Sequence, residues 1–379
     1  MSKIQHVLGI SGGKDSAALA IYLKDKYPQF NFTYYFTDTG KELDETYTLI
    51  ENLEGYLGAK INKLEDDGIK NSGEDPFDFF FKSYRGYLPS PQARWCTAMM
   101  KLKPFEKFVG EKPTMSYVGI RGDEQREGYI SRQDNIQSIF PFRKNIWSQD
   151  VLRKIFDPKN QEQLLGYYSD VYSGNKLDKI VNEFSKPISF NLNYKLQTER
   201  IINEKLEGLL NVGIIEFNKS VFKFLKTTNY PISFEEDYPL LENEDNLVRA
   251  DIFRLLEESG VGIPAYYNKV AYEVDGQKGE YARSRSGCYF CFFQQKIEWI
   301  WLYEQHTELF KKAMTYENED ELFTWIQNES LKELINPERI KQIKLDHIKR
   351  TGREKSKGSK LLLDKLIDAE EGACTACFI

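Results

Sequence analysis

No apolar run in these 379 residues approaches the roughly 20 residues that a membrane-crossing helix requires. The first apolar segment is only about five residues long and ends in glycines, too short for the core of a secretory leader. A cytoplasmic chain with no membrane partner is therefore the expectation. Basic charge is not in excess either. Fifty-two Lys and Arg stand against 58 Asp and Glu, a net charge of −6. No global field draws nucleic acid, so any such contact needs a local basic patch. Cysteine is scarce, with five residues, Cys96, Cys288, Cys291, Cys374 and Cys377, four of them in two C-x-x-C pairs. That usage excludes a disulfide scaffold and points to metal or redox chemistry. A Walker A loop is missing as well: counting back from Gly13-Lys14, the place of its first glycine is held by Leu8, and Asp15 follows the lysine.

What is present begins at the N-terminus. Val7 to Ile10 reads as a buried parallel strand. Ser11-Gly12-Gly13 cannot continue it, because two glycines permit positive φ and turn backbone N–H groups inward around an anion. Asp15-Ser16 offers an N-cap, and Ala17 to Leu23 is strongly helical. Strand, glycine turn and helix start together form a phosphate-binding arrangement, since orphan amides and the positive end of the helix dipole converge there.

Further along, Asn31 to Phe36 is aromatic and β-branched, a second buried strand. It ends in Thr37-Asp38-Thr39-Gly40, and the carboxyl end of a parallel strand lines the ligand crevice of an open α/β sheet. Asp38 and Thr39 are thus candidates for adenosine or magnesium-phosphate contacts, with helix capping as the alternative. A helix to about Leu57 and a short strand near 59–64 follow; 66–91 reads as a loop with an aromatic cluster. Cys96, beside Arg94 and just before a helix, suits a lowered-pKa thiolate or a buried structural thiol. A strand over 116–120 delivers Gly119, Arg121 and Arg126 to its end, where a guanidinium can neutralise a phosphate or simply belong to a solvated charged turn. Strands alternating with helices predict a doubly wound, mostly parallel α/β sheet.

Taken together, Ser-Gly-Gly-Lys-Asp-Ser (11–16), Thr-Asp-Thr-Gly (37–40), Arg-Trp-Cys-Thr (94–97) and Gly-Ile-Arg-Gly-Asp-Glu (119–124) resemble the phosphoadenylyl-sulfate (PAPS) reductase family and its N-type ATP pyrophosphatase relatives. The resemblance covers 1 to about 150 and resumes near 249–300, where Gly262-Ile263-Pro264 matches a family segment; Trp147 to Val151 matches another loosely. It implies an adenine nucleotide α-hydrolase-like fold divided as a pyrophosphatase core (1–155), a helical insertion (156–246), a return to the core carrying C-x-x-C (247–300), and C-terminal helices with a cysteine tail (301–379). It also implies an enzyme that cleaves ATP to AMP and pyrophosphate. Ser11, Gly12, Gly13, Lys14, Asp15, Ser16, Asp38, Thr39, Gly119 and Arg121 are then the nucleotide-binding residues, with Lys14, Asp15 and Arg121 catalytic and Mg2+ on the phosphates.

A C-x-x-C holds two thiolates at one metal, with the backbone between them as the knuckle. Two pairs make a zinc site, or an iron–sulfur cluster together with Cys96; the terminal pair alternatively relays sulfur. Resemblance to enzymes of DNA phosphorothioation (the Dnd or Ssp kind) favours a cluster on Cys96, Cys288 and Cys291, with Cys374 or Cys377 as fourth ligand or sulfur relay. The same resemblance implies DNA, a cysteine desulfurase and other phosphorothioation proteins as partners, in antiphage defence. Lys101, Lys103, Arg283 and Arg285 are candidates for the DNA backbone. Rival readings are a sulfonucleotide reductase with a dithiol tail, a tRNA-thiolating enzyme, and a non-catalytic sensor of nucleotide or redox state.

Overall fold

The structure, a computed structural model, describes residues 4–124, 131, 133–188, 195–318 and 323–357. Arg126, Cys374 and Cys377 lie outside the described residues.

Five strands form one parallel sheet: β1 (Gln5–Gly9), β2 (Phe32–Phe36), β3 (Ile61–Lys63), β4 (Thr114–Tyr117) and β5 (Ile136–Ile139). Their order is β3-β2-β1-β4-β5, with helices on the connections from β1 to β2, β2 to β3 and β3 to β4, so the fold is α/β as expected. All four residues of β4 and of β5 are buried, although each strand contains two polar residues, so both faces of these strands are covered. β4 starts and ends earlier than the expected 116–120, leaving Val118 to Ile120 as a buried exit from the strand.

The chain forms two compact units built from discontinuous segments: Met1–Gly9, Ala18–Thr33 and Val109–Ile252 in one, Ile10–Ala17, Tyr34–Phe108 and Phe253–Ile379 in the other. In the first, β1 pairs with β4 from Gln5↔Thr114 and β4 with β5 from Thr114↔Ile136. The expected insertion falls here as the helices Gln161–Ser169, Asn175–Ser185, Lys195–Leu210 and Ile214–Leu225. Their apolar stripes bury Leu164, Tyr168, Ile180, Phe184, Phe217, Val221 and Phe224. Lys205 is buried and donates to the carbonyls of Phe184 and Lys186, satisfying the last turn of the preceding helix; burial lowers its pKa. Asn218 donates to the Lys144 carbonyl, and the Ile232 amide to Gln137 of β5.

The second unit is built on aromatic rings. Phe77 lies 4.5 Å from Phe290, and Phe290 stacks on Trp325 at 4.7 Å. The stretch 66–91 is not a loop, contrary to expectation. It carries the helices Asp67–Ser72 and Pro76–Ser83. Pro76 occupies the first turn, where a missing N–H is tolerated, and Phe77 and Phe80 bury one face. A hairpin, β6 (Val270–Val274) and β7 (Gln277–Tyr281), turns on Asp275-Gly276, both at positive φ. It packs beside the long helix Pro337–Lys357, where the Tyr272 hydroxyl meets Nδ1 of His347 at 2.8 Å.

Burial and the nearby Arg350 push His347 down to about 4, so the folded chain keeps this ring neutral while the unfolded chain protonates it near 6.5. The unfolded state then binds more protons between those values, and stability must fall as pH drops from about 6.5 towards 4. The expected result is that thermal melting of the protein falls between pH 7 and pH 5 by more than that of H347Q, followed by circular dichroism; equal falls would refute the assignment.

Candidate active site

The chain leaves β1 at Gly9 and the helix Lys14–Lys26 begins five residues later, one turn earlier than the sequence suggested. Between them the backbone must reverse, and Gly12 does so at φ +71. A Cβ at Gly12 would overlap the Thr46 methyl, and one at Gly13 would overlap the Ser286 hydroxyl. Gly12 is therefore required by conformation as well as by close approach, and Gly13 by close approach alone. Ser16 closes the turn from inside: its Oγ accepts the Ser11 amide at 3.1 Å, lies 3.1 Å from the Ser11 hydroxyl, and donates to the Gly13 carbonyl at 3.2 Å. The turn opens the helix, so its first amides have no carbonyl four residues back to bond. That is the anion-receiving geometry expected from the sequence.

Lys14 is 1% exposed. Its Nζ lies 3.2 Å from Asp15 Oδ2, 3.5 Å from the Ser284 carbonyl and 5.0 Å from the centre of the Tyr267 ring. The Tyr267 hydroxyl accepts the Lys14 amide at 3.4 Å, and the Tyr266 hydroxyl donates to the Gly12 carbonyl at 3.2 Å. Two tyrosines and the segment 284–286 thus wall the loop, although some 250 residues separate them from it in sequence. The Gly262-Ile263-Pro264 match pointed at this neighbourhood; nothing in local sequence assigned the tyrosines a role.

At the end of β2, Asp38 accepts from the Gly40 amide (2.8 Å) and the Tyr47 hydroxyl (2.9 Å) on Oδ1 and pairs with Lys63 (2.9 Å) on Oδ2. Both carboxylate oxygens are engaged. The Thr39 hydroxyl donates to Glu42 Oε1 at 2.8 Å, accepts the Lys41 amide at 3.3 Å and lies 3.1 Å from Cys288 Sγ. Glu42 was not singled out from the sequence. It is buried, which raises its pKa, and its Oε2 has no hydrogen-bond partner among the described residues.

Cys288 and Cys291 occupy a tight turn entered through Gly287 at φ +105, with the Cys291 amide on the Cys288 carbonyl at 3.1 Å. Burial pushes the Cys288 thiol well above its usual range, and the charges of Glu42 and Cys291 add to that. Cys96 is half-buried against the same aromatic core. Among the described residues no group of three His, Cys, Asp or Glu side chains is arranged to hold a metal. The described chain therefore supplies a two-thiol knuckle but not a complete ligand set.

Arg121 and Gly119 belong to the other compact unit. Arg121 is 1% exposed and bound to Asp123 Oδ1 and Glu124 Oε1, each at 2.9 Å, while its carbonyl accepts from Arg143. Its charge is matched by carboxylates within its own turn. Of the four basic residues proposed for DNA, Lys103 is exposed, whereas Arg283 is 2% exposed and cannot meet a duplex at the surface.

Replacing Gly12 by Ala combines an αL penalty with overlap on Thr46 and is expected to cost about 2–4 kcal/mol of stability, read from the denaturant midpoint. A loss below about 0.5 kcal/mol would mean that the turn is not held as described.

An uncharacterized protein of Methanocaldococcus jannaschii is 28% identical over 200 residues, 48% of this chain; the chain spans only 39% of that relative's length. No solved structure matches. Residues 5–145, which hold the loop, the β2 exit and the Arg121 turn, match the Phosphoadenosine phosphosulfate reductase domain, and it is in this part that the chain is similar to that family.

Proposed function

We propose that this protein is an ATP pyrophosphatase that activates a nucleic-acid acceptor for sulfur insertion, with DNA backbone phosphorothioation as the reaction served. The observation that carries the reading is the loop 11–16 with its buried lysine. A closed glycine turn, a helix start and an ammonium group converge on one anion position. Such a site holds the β- and γ-phosphates of ATP and stabilises pyrophosphate as it leaves. Mg2+ supplies further charge on the phosphate oxygens, and Asp15 is the carboxylate nearest to Lys14. In the balanced step, an acceptor phosphate oxygen attacks the α-phosphorus, the bond to the bridging oxygen breaks, and pyrophosphate departs with its electron pair. The outer sulfur of a persulfide on a partner cysteine desulfurase then attacks the activated phosphorus and AMP leaves; a second thiol cleaves the resulting phosphorus–S–S–cysteine link, giving the phosphorothioate and a disulfide. Cys288 and Cys291 supply two thiolates of an iron–sulfur cluster, with zinc as the alternative, and Cys96, Cys374 and Cys377 are the remaining thiols for it. The similarity of residues 5–145 to a reductase domain favours one second reading, a sulfonucleotide reductase.

Two measurements decide. Pyrophosphate release from Mg-ATP, with and without DNA, is expected for the wild type and is expected to fall on the order of 10²–10³-fold in K14A. Sulfite release from PAPS without ATP would instead establish the reductase. Anaerobically purified protein is expected to carry iron and sulfide, both reduced in C288S; zinc in stoichiometric amount, or no metal, would overturn the cluster.

A further inference from the structure

The segment between β7 and the thiol pair, Arg283-Ser284-Arg285-Ser286-Gly287, is only partly explained by the loop it covers. Ser286 stands against Gly13, and the Ser284 carbonyl receives Lys14. The two arginines serve neither contact. Arg283 is held by its amide on the Tyr266 carbonyl at 2.9 Å and by Nη2 on the Cys288 carbonyl at 3.1 Å. Its Nε and Nη1 are buried and have no hydrogen-bond partner among the described residues. Nε and Nη1 of Arg285 are in the same condition, with the guanidinium 5.9 Å from the Phe293 ring centre.

A buried cation with unsatisfied donors is costly, and the cost is removed when an acceptor arrives. Among the described residues, the buried acceptors without a hydrogen-bond partner in this neighbourhood are Gln294 Oε1, whose amide group donates to the Tyr289 carbonyl, and Glu42 Oε2, whose carboxylate interacts with Arg283 through charge without an ion-pair contact. With Nη2 of Arg283 taken by the Cys288 carbonyl, Nε and Nη1 stand on different edges of the guanidinium fork, so each offers an N–H to a separate oxygen of an arriving anion. The position of that anion is bounded on two sides. The guanidinium lies 5.8 Å from the centre of the Tyr266 ring, whose hydroxyl bonds Gly12 of the phosphate loop, and it grips the backbone of Cys288.

We propose that Arg283, assisted by Arg285, binds a tetrahedral oxyanion between the phosphate loop and the Cys288–Cys291 turn, separate from the phosphates held by residues 11–16. This rests on the nucleotide reading above and adds to it a place for the group that receives or carries sulfur. The shared chemistry is a phosphoryl or sulfonyl group, and burial rules out contact from an undistorted duplex.

The test uses the full-length protein with sodium sulfate as probe against sodium chloride at equal ionic strength. Sulfate is expected to raise the melting temperature of the wild type, alone and with saturating Mg2+ and α,β-methylene-ATP. In R283M sulfate affinity is expected to fall at least tenfold, while the melting temperature without anion stays equal or rises. R283K, which keeps the charge but not the fork, is expected to bind between the two. Wild-type sulfate affinity in R283M, a melting temperature that drops while the sulfate response persists, or competition between sulfate and the nucleotide analogue would each overturn the proposal. Failure of the analogue to bind would remove the ATP reading, yet the sulfate comparison would still decide the role of Arg283. The carrier is identified by titrating adenosine 5′-phosphosulfate and a thymidine dinucleotide. Loss of affinity in R283M for the first assigns a sulfonyl group, for the second a phosphodiester; loss for neither overturns the assignment.

Discussion

Burying an ammonium group is unfavourable unless the surroundings answer it, and Lys14 is almost wholly buried. Its answers are a carboxylate from the next residue, a backbone carbonyl from Ser284 and the face of Tyr267. The carboxylate answers it with a full charge, the carbonyl and the ring with partial charge. Much else in this unit follows from that requirement. Tyr266 and Tyr267 must sit where they do, which fixes the turn after Pro264, and the segment 284–286 must cross the loop, which fixes the exit from β7.

The contacts that answer Lys14 come from far along the chain, and this sets what could be read beforehand. The strand, the two glycines and the helix are consecutive, so propensity and turn chemistry reveal them; the helix starts at Lys14, and Asp15 and Ser16 stand inside its first turn and not before it as its cap. Tyr266, Tyr267, Ser284 and Ser286 act across more than 200 positions, and no local pattern marks a tyrosine as a wall of a phosphate loop. Glu42 illustrates the same limit at short range. It follows Thr39 by three residues on an ordinary polar stretch, and only folding shows that it is buried beside a thiol.

Elsewhere the failures have a different cause. In the stretch 66–91, Gly73 ends a short helix in the left-handed conformation and Pro76 starts the next, so residue types common in loops here punctuate two helices. Asp275-Gly276 is a strong hairpin signal, yet the flanking Val270–Val274 and Gln277–Tyr281 are mostly exposed and too polar to announce strands. The parallel sheet was legible because β1 and β2 end in buried apolar side chains, as strands flanked by helices do; β5, Ile-Gln-Ser-Ile, is half polar and gave no strand signal.

The Thr39 hydroxyl links the two halves of the chemistry. A hydroxyl has one proton to give and two lone pairs to receive. Its contact to Glu42 takes the proton when that carboxyl is ionised, and the Lys41 amide takes one lone pair. What remains for Cys288 is the second lone pair, so the thiol must then donate, which keeps it protonated; burial favours the same state. A metal held by further thiols is the kind of positive partner that would release that proton. The same hydroxyl, fully committed in this way, is a strut between the end of β2 and the thiol turn. Nucleotide contacts at this strand end would then fall to its backbone and not to the threonine side chain.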